Sequence, residues 1–208
     1  MRAKSTRRVR PPISERLVVV GGQCSGVGKT TLVVDIIRAM PEFEWTAVKI
    51  TPHLEGGVPR RNSFSVCHEL DPEGRSDTSR FLAAGAVRAL WVHTKPRMLR
   101  QALRSLRGAV AEARNVIIES DGVVRFWNPD LYLMVLSPAV DDFKESARKL
   151  IPAVDVFVYR SPVEPSLSKN WPINARTKRR KSCTILQPLG ESLPWKLQEI
   201  LRQLPCPM

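Results

Sequence analysis

The sequence contains no apolar run long enough to cross a membrane. It has 208 residues, of which 43% are hydrophobic, yet no stretch approaches the roughly 18 to 20 consecutive apolar residues that a membrane-spanning helix requires. The amino terminus also lacks the hydrophobic region of a secretory signal peptide. These absences predict a soluble protein without a membrane partner. The length allows one α/β domain with a full core and is too short for two ordinary domains.

Cysteine is scarce, and its spacing is irregular. The four cysteines are Cys24, Cys67, Cys183 and Cys206. They form no CxxC pair and no even framework, so disulfides are not indicated and a reducing cytoplasm is the expected setting. Cys67 and His68, with His53 nearby in sequence, are residue types that ligate transition metals. An adjacent Cys-His pair is not the spacing of a structural zinc site, so a metal at this place is left open.

Acidic residues are fewer than basic ones. The sequence has 33 lysines and arginines and 20 aspartates and glutamates, which gives a net charge of +13. The excess lies at the two ends: residues 1–16 and 161–208 each carry +5, whereas residues 17–160 carry only +3. Aromatic residues do not alternate with these charges as they do in proteins that bind single-stranded nucleic acid. Solvated basic tails are therefore favoured over a nucleic-acid surface.

These charged ends define the predicted domain organisation. Residues 1–13 are expected to form a basic, disordered arm, since they are short, interrupted by proline and free of acidic residues. Residues 14–208 are expected to form a single nucleotide-binding domain. A basic loop at 161–182, which includes the run KRRK at 178–181, belongs to that domain.

Short apolar runs alternate with longer segments of helical periodicity, as is typical of βα units and a mainly parallel sheet. The runs predict strands over residues 17–20, 46–50, 86–92, 115–119, 131–136, 155–159 and 183–188. The periodic segments predict helices over residues 30–40, 76–84 and 94–110, a helix capped near 141, and a closing helix after Ser192. Residues 51–74 show no regular pattern, and connections of that length are usually functional or mobile. The predicted architecture is a three-layer α/β fold.

The predicted helix after Pro96 has two unlike faces. Its apolar residues recur at the spacing of one buried stripe; they are Leu99, Leu103, Leu106 and Val110. Its arginines occupy much of the remaining surface; they are Arg97, Arg100, Arg104 and Arg107. We expect the arginine face to contact solvent rather than a ligand.

The stretch GGQCSGVGKTT, residues 21–31, lies between a predicted buried strand and a predicted helix. It matches the phosphate-loop pattern G-x-x-x-x-G-K-[ST] at its end, but Gln23 stands where the first glycine belongs. Gly26 and Gly28 still supply a turn whose backbone N–H groups can point at phosphate oxygens. The positive end of the following helix would face the same anion. The residues predicted to bind the nucleotide here are Gly22, Ser25, Gly26, Val27, Gly28, Lys29, Thr30 and Thr31.

Two residues of this loop have specific predicted roles. Lys29 is expected to contact the β- and γ-phosphates and to stabilise charge during phosphoryl transfer, which makes it a catalytic candidate. The Thr30 hydroxyl is expected to bind Mg²⁺. A second Mg²⁺ position needs a carboxylate at the end of a buried strand, and VIIESDG offers Glu119, with Asp121 as a rival for the same role.

Further candidates lie between these two segments. Lys49 and His53, in VKITPH, stand where the second strand ends, at the edge where parallel sheets bind ligands, and both are predicted to contact the nucleotide. Asp77, in GRSDTS, is a second catalytic candidate that would accept a proton or contact Mg²⁺. An ordinary role for Asp77 as a helix N-cap explains its position equally well.

With these residues in hand, the chain resembles the molybdopterin-guanine dinucleotide biosynthesis protein B family, whose members are small P-loop GTP-binding proteins. The resemblance runs from about Arg16 to Tyr159. It depends on four segments in order: GGQCSGVGKTTL, VKITPH, GRSDTSRFLAAGA, and VIIESDG followed by DLYLMVL. Lys49 and His53 match the ends of the family's Lys-His-x-x-His-like stretch, although Ile50 departs from it. The third segment is the most distinguishing and adds weight to Asp77.

The resemblance implies a P-loop NTPase fold and a function in molybdenum cofactor assembly. It implies weak or partner-stimulated GTP hydrolysis with Mg²⁺ and a molybdenum cofactor nucleotidyltransferase as partner, whereas homodimer formation is left open. VIIESDG also resembles a segment of the nickel-insertion GTPases of urease and hydrogenase maturation. Those proteins carry a cysteine-bearing metal motif, whereas Phe126, Trp127 and Asn128 stand at this place, which counts against a nickel role.

The base-reading motif of that nickel-insertion group is missing. Its Asn-Lys-x-Asp sequence follows a strand equivalent to DVFVY, but this chain has RSPV at residues 160–163. The resemblance alone therefore favours GTP over ATP. Two other functions stay open: a small-molecule kinase, with residues 51–74 over an acceptor, and a nucleotide-dependent scaffold that binds a partner through the basic loop.

Overall fold

The computed structural model describes residues 16–51, 64–137, 142–161, 183–188 and 190–205. The strands in these ranges are β1 (Arg16–Gly22), β2 (Trp45–Thr51), β3 (Phe64–Glu69), β4 (Arg88–Thr94), β5 (Asn115–Glu119), β6 (Leu131–Leu136), β7 (Val156–Tyr159) and β8 (Cys183–Leu186). The α-helices are α1 (Lys29–Ala39), α2 (Asp77–Ala83), α3 (Leu99–Ala109), α4 (Glu145–Arg148) and α5 (Trp195–Arg202).

The strands form one sheet in the order β3-β4-β2-β5-β1-β6-β7-β8. Every neighbouring pair is parallel except β3 with β4, which is antiparallel. β1 lies in the interior between β5 and β6, and its residues 17–22 are buried. The prediction of a mainly parallel sheet is confirmed.

Helices cover both faces of this sheet. Successive side chains of a strand point to opposite faces, so a strand that is buried throughout needs cover on both sides. On β1, Val19 packs with Leu103 of α3 in one apolar cluster. Val18 faces the other way and packs with Leu32 of α1 in a second cluster, which also includes side chains of α2 and α5. The two clusters with the sheet between them make the three-layer α/β architecture that the sequence predicts.

Strand β3 contradicts the prediction that residues 51–74 are irregular throughout. Phe64–Glu69 pairs antiparallel with β4 at the edge of the sheet. None of its residues is fully buried, and Cys67 and His68 are exposed. An edge strand that buries neither face completely has no apolar run and little alternation, so the sequence pattern gives no clear sign of it. Residues 52–63 lie outside the described ranges.

Other element boundaries also differ from the predictions. The helix expected from near Asp141 is a four-residue turn, Glu145–Arg148, and Asp141 itself lies outside the described residues. The closing helix begins at Trp195 after Pro194 rather than directly after Ser192. The basic arm 1–13 lies wholly outside the described residues, as does the basic loop except for Ser161.

Helix α3 confirms the prediction of two unlike faces. The residues of its apolar stripe are between 0% and 8% exposed. All four arginines of the predicted arginine face are exposed. A 3₁₀ turn, Pro96–Met98, precedes the α-helix. None of the helices in the described ranges is long and apolar enough to span a membrane.

The register of the parallel strands brings the carboxyl ends of β1, β2 and β5 to one edge. Glu119, the last residue of β5, pairs with Val20 of β1 on one side and with Lys49 of β2 on the other. Directly paired residues of neighbouring strands point to the same face of a sheet. The Lys49 and Glu119 side chains therefore meet beside the loop that leaves β1.

Candidate functional site

The glycine-rich loop, residues 22–28, connects β1 to α1. Gly26 and Gly28 have φ angles of 76° and 93°, in the left-handed region that glycine adopts without steric strain. Gly28 is the residue before the first turn of α1, and that turn contains no acidic side chain. The backbone N–H groups at the start of α1 therefore present a positive end that no nearby carboxylate on the helix neutralises.

Gln23 occupies the position where the strict loop pattern has glycine. Its backbone N–H donates to Val135 O at 3.1 Å. Its side-chain Oε1 accepts from Ser137 N at 2.9 Å, and Nε2 donates to Asp142 O at 3.3 Å. The Gln23 side chain thus connects the loop by hydrogen bonds to the chain that follows β6. Glycine has no side chain to form them.

Gly22 is the glycine whose small size the loop requires. A Cβ atom at Gly22 would lie 2.7 Å from Val27 Cγ2 and 3.1 Å from the Lys29 side chain. Because real Cβ contacts essentially never lie below 3.0 Å, a larger residue at this point would force the Val27 side chain or the loop to shift. Gly22 thus lies one residue before the position at which the strict pattern has its first glycine.

The other predicted loop residues divide into buried and accessible ones. Ser25 and Gly26 are exposed, whereas the Val27 side chain is buried at 3% exposure, which leaves only its backbone for a ligand. Thr31 lies half-buried in the first turn of α1. Lys144 donates to Ser25 Oγ at 3.1 Å and adds a positive charge at the outer side of the loop.

Lys29 lies across the glycine-rich loop. Its Nζ donates to Cys24 O at 2.6 Å and lies 3.8 Å from Asp121 Oδ2. Asp121 in turn accepts from Gly22 N at 2.9 Å. Asp121 is thus tied to the loop backbone and to Lys29, and none of its described contacts involves Thr30.

The sequence offered two carboxylates, Glu119 and Asp121, as partners for Thr30 at the predicted Mg²⁺ position. In the structure Glu119 makes this contact. Thr30 Oγ1 donates to Glu119 Oε2 at 2.8 Å. Glu119 is only 2% exposed, and β5 positions it directly below the start of α1. The structure therefore brings Thr30 and Glu119 together, while Asp121 lies on the Lys29 side.

Lys49 joins three of the predicted site residues. Its Nζ contacts Glu119 Oε1, lies 2.9 Å from Asp77 Oδ2 and donates to Thr30 Oγ1 at 3.3 Å. Burial alone would lower the pKa of Lys49, but the charges and hydrogen bonds of Glu119 and Asp77 outweigh it and raise the pKa above its ordinary value. The site therefore favours the charged form of Lys49.

Asp77 is not the N-cap of α2. That position belongs to Ser76, whose Oγ accepts from Ser79 N at 2.9 Å. The Asp77 carboxylate instead pairs with Lys49 and, at 3.4 Å, with Arg80. The ordinary capping explanation for Asp77 is therefore wrong, and its side chain, 38% exposed, lies at the accessible rim of the site.

Glu69 supports the turn that presents Asp77, although no sequence pattern singled it out. Its Oε2 accepts from Ser76 Oγ at 2.7 Å and from Thr78 Oγ1 at 2.8 Å. Its Oε1 accepts from Leu70 N and Asp71 N at 3.1 and 3.2 Å. The hydrogen bond from Ser76 is the main cause that lowers the pKa of Glu69 to about 2. Glu69 is the last residue of the missed strand β3, and its partners lie in the chain after that strand and in the first turn of α2.

Glu69→Gln is expected to lower the free energy of unfolding by about 1–2 kcal/mol at neutral pH, because hydrogen bonds to a charged acceptor are lost. A carboxylate with a lowered folded-state pKa stabilises above its ordinary pKa of 4.5 and loses that contribution as pH falls towards about 2. The difference between wild type and variant should therefore shrink over this range in urea titrations. Glu73→Gln, an exposed carboxylate in the same turn, is the control. A difference that stays constant with pH would contradict this role for Glu69.

Arg160 is a second residue that the sequence did not reveal. It follows β7, where RSPV replaces a base-reading motif, and its side chain is only 1% exposed. Its Nη2 donates to Gly28 O at 3.2 Å and lies 3.5 Å from Asp35 Oδ2. Gln187, after β8, donates to the same Asp35 oxygen at 3.0 Å. Although burial lowers the pKa of Arg160, a guanidinium stays charged, so a fixed positive charge lies behind Gly28.

The remaining candidates do not join this group. Cys67 and His68 are adjacent on β3 and so point to opposite faces. Within the described residues no cluster of three metal-ligating side chains occurs. Burial, followed by the Asp142 charge, raises the pKa of the Cys24 thiol, which favours an inert thiol over a reactive thiolate. His53 lies outside the described residues.

Comparisons with known proteins support the fold and no narrower assignment. No protein-family model and no curated protein matches this chain. HypB from Helicobacter pylori, solved in complex with nickel, is similar with a TM-score of 0.55 at 15% identity, over 92% of this chain and 90% of HypB. LpxK from Aquifex aeolicus, solved in complex with ATP, is similar with a TM-score of 0.52 at 15% identity, over 86% of this chain. This chain spans only 56% of that LpxK chain.

These similarities confirm the predicted fold class, which is the three-layer α/β fold of P-loop NTPases. At 15% identity, the similarity does not extend to substrate, nucleotide or partner. The molybdopterin-guanine dinucleotide family is supported only as far as the P-loop class.

Proposed function

We propose that this protein binds a nucleoside triphosphate with Mg²⁺, prefers GTP and hydrolyses it slowly or on contact with a partner. The contact of 2.8 Å between Thr30 Oγ1 and Glu119 Oε2, directly below the glycine-rich loop, carries this proposal. A phosphate loop needs a hydroxyl and a strand-end carboxylate at this place to hold Mg²⁺. Lys29 lies on the other side of the loop, where it can contact the β- and γ-phosphates.

The chemistry of the ligand set fits Mg²⁺. The hydroxyl of Thr30 and the carboxylates of Glu119 and Asp77 are hard oxygen ligands, and Mg²⁺ is bound in such sites through one or two carboxylates and the substrate phosphates. Thr30 would ligate the ion, and Glu119 would hold it directly or through water. When bound, Mg²⁺ neutralises charge on the phosphate oxygens.

The residues of the chain would act mainly by positioning and charge. Lys29 Nζ would exchange the Cys24 carbonyl for phosphate oxygens, and the N–H groups of the loop and of the first turn of α1 would bind the remaining oxygens. The Arg160 guanidinium would keep the Gly28 carbonyl turned away from the anion. Asp77, which is accessible at the rim, would orient the attacking water or accept its proton. Phosphoryl transfer requires little covalent chemistry from the protein.

The preference for GTP and the link to molybdenum cofactor assembly are the finer part of the proposal. They are supported by the resemblance of the loop, Lys49, Asp77 and Glu119 segments to the molybdopterin-guanine dinucleotide proteins. Lys49, Asp77 and Glu119 come from three of the separate segments that carry the resemblance, and Lys49 contacts both carboxylates. A molybdenum cofactor guanylyltransferase is the proposed partner, and the cytoplasm is the proposed location.

A nickel role is less well supported, although HypB was solved with nickel. The chain after Gly122 is used for packing: Val123, Val124 and Trp127 lie in an apolar cluster. A Cβ atom at Gly122 would lie 2.8 Å from Leu99 Cδ2, so this glycine allows the close approach of α3. The described segment 122–130 contains no cysteine or histidine to ligate nickel.

Phosphate release from GTP tests this function against the kinase alternative. Wild-type protein with Mg²⁺ is expected to release phosphate at about 10⁻⁴ to 10⁻² per second, the range of unstimulated GTPases. The guanylyltransferase of the same organism is expected to increase this rate. Transfer of labelled γ-phosphate to a metabolite instead of water would establish the kinase. A rate unchanged by the guanylyltransferase would remove the proposed partner.

A further inference from the structure

The ammonium group of Lys49 lies among the oxygens that are proposed to hold Mg²⁺. Its Nζ contacts Glu119 and Asp77 and donates to Thr30 Oγ1. Those are the two carboxylates and the hydroxyl of the proposed metal site. A lysine that only bound a phosphate would not have to contact all three.

The position of this ammonium group is set by the sheet. Lys49 pairs with Glu119 across β2 and β5, and its side chain is 17% exposed, against 3% for Glu119. Asp77 is attached to a different element, α2, and holds the same ammonium from the solvent side. The Lys49 ammonium is therefore enclosed by the carboxylates of Glu119 and Asp77. It has little freedom to leave them until another cation neutralises their charge.

Mg²⁺ and this ammonium group cannot both hold Thr30 and Glu119. Mg²⁺ binds oxygen at about 2.0–2.1 Å in near-ideal octahedral geometry. An ion on Thr30 Oγ1 would lie within a few ångströms of a positive charge that already donates to that oxygen, in a region with little water to screen the repulsion. The ammonium group must withdraw before the ion enters, and it needs another anion to accept it.

We infer that Lys49 is a built-in counter-ion that excludes a free divalent cation from Thr30 and Glu119 until a triphosphate arrives. The γ-phosphate then supplies the anion to which the ammonium moves. Metal and nucleotide consequently bind together rather than metal first. This inference depends on the proposed function of the site.

Binding of Mn²⁺ alone, measured by electron paramagnetic resonance on the full-length protein without nucleotide, tests this inference. Wild type is expected to bind no stoichiometric Mn²⁺ below about 1 mM, weaker than dedicated protein sites. Lys49→Met and Lys49→Gln are expected to bind Mn²⁺ at least about tenfold more tightly, because the competing charge is gone. Lys49→Gln can still donate to Glu119 and so keeps the test valid if Lys49→Met fails to fold.

Two controls distinguish competition between the Lys49 ammonium and Mn²⁺ from a general effect of the protein's net charge. Lys49→Arg keeps a cation beside Glu119 and should bind Mn²⁺ as weakly as wild type. Lys144→Met removes one charge near the loop, at Ser25, and should also leave Mn²⁺ binding unchanged. Tight binding of Mn²⁺ to wild type, or an equal gain in Lys144→Met, would overturn the inference. So would folded Lys49→Gln that binds no more tightly than wild type.

Calorimetry with Mg²⁺ and GTP on the same preparations distinguishes the two proposals. If wild type binds GTP but the neutral Lys49 variants gain no Mn²⁺, only the counter-ion inference fails. If wild type binds no triphosphate, the proposed function fails whatever Mn²⁺ does. Binding of GTP by wild type together with the gain in Lys49→Gln supports both.

Discussion

Lys29→Ala is expected to lower the affinity for Mg²⁺-GTP by at least about 100-fold, because a charge-assisted contact to the phosphates is lost. The same change should lower the free energy of unfolding by only about 1–2 kcal/mol, for the lost hydrogen bond to Cys24 O. Lys29 is the first residue of α1, where a cation opposes the helix dipole, and its ion pair with Asp121 is long at 3.8 Å. Titration calorimetry and urea unfolding measure the two quantities.

Lys149→Ala is the matched control for this experiment. Lys149 is 69% exposed and pairs only with Glu145 on its own helix among the described residues, so its loss should leave GTP affinity unchanged. If Lys29→Ala binds GTP as wild type does, the glycine-rich loop is not a phosphate loop in function. A variant that loses GTP binding together with much more than about 2 kcal/mol of stability would mean that Lys29 supports the loop rather than the nucleotide.

Glu119→Gln is expected to have the second large effect, on metal dependence and on stability together. The affinity for GTP with Mg²⁺ should fall at least about tenfold, while the weaker affinity in EDTA should stay unchanged, since only the metal contact is lost. The free energy of unfolding should fall by about 2–3 kcal/mol. Removing one partner of a buried ion pair usually costs about 3–5 kcal/mol, but Asp77 still compensates Lys49 at 2.9 Å.

Asp121→Asn tests the rival carboxylate in the same assays. Asp121 contacts Gly22 N and Lys29 but has no described contact with Thr30. Its replacement should weaken GTP binding in the presence and absence of Mg²⁺ alike. If Asp121→Asn abolishes the dependence on Mg²⁺ while Glu119→Gln preserves it, the metal belongs to Asp121 and the proposed site is wrong.

The sequence was sufficient for the fold because its strong signals are local. Buried parallel strands such as β1 and β5 are continuous apolar runs, and the stripe on α3 has clear helical spacing. Strand β3 was missed because it lies at an edge and buries neither face completely. Its only strand partner in the described sheet, β4, pairs with it antiparallel, and no local pattern marks that pairing.

The candidate site was predictable where it follows a motif and not where it depends on register. Lys29, Thr30 and Glu119 follow from the loop pattern and from the end of a buried strand. Nothing in the sequence states that Lys49 lies directly opposite Glu119, because strand pairing is a tertiary property. Arg160 donates a hydrogen bond to Gly28, although the two residues are 132 positions apart in the sequence. A single arginine after a strand forms no sequence pattern that could predict this contact.

The glycine-rich loop departs from the strict motif but keeps glycine at the positions where its own backbone requires it. The strict pattern fails at Gln23, yet the close approach is made by Gly22 and the left-handed turns by Gly26 and Gly28. Gln23 uses its side chain to connect the loop to Ser137 and Asp142. What phosphate binding needs is backbone geometry, and that geometry is compatible with more than one sequence.

Nucleotide binding by the wild-type protein tests the central claim most directly. Calorimetric titration of the full-length protein with GTP, ATP, GDP and ADP in Mg²⁺, repeated in EDTA, measures affinity, base preference and metal dependence in one series. We expect one site per chain, a triphosphate bound more tightly with Mg²⁺ than without it, and GTP bound more tightly than ATP. Tight ATP binding would correct the base preference alone. Failure of all four nucleotides to bind would contradict the account.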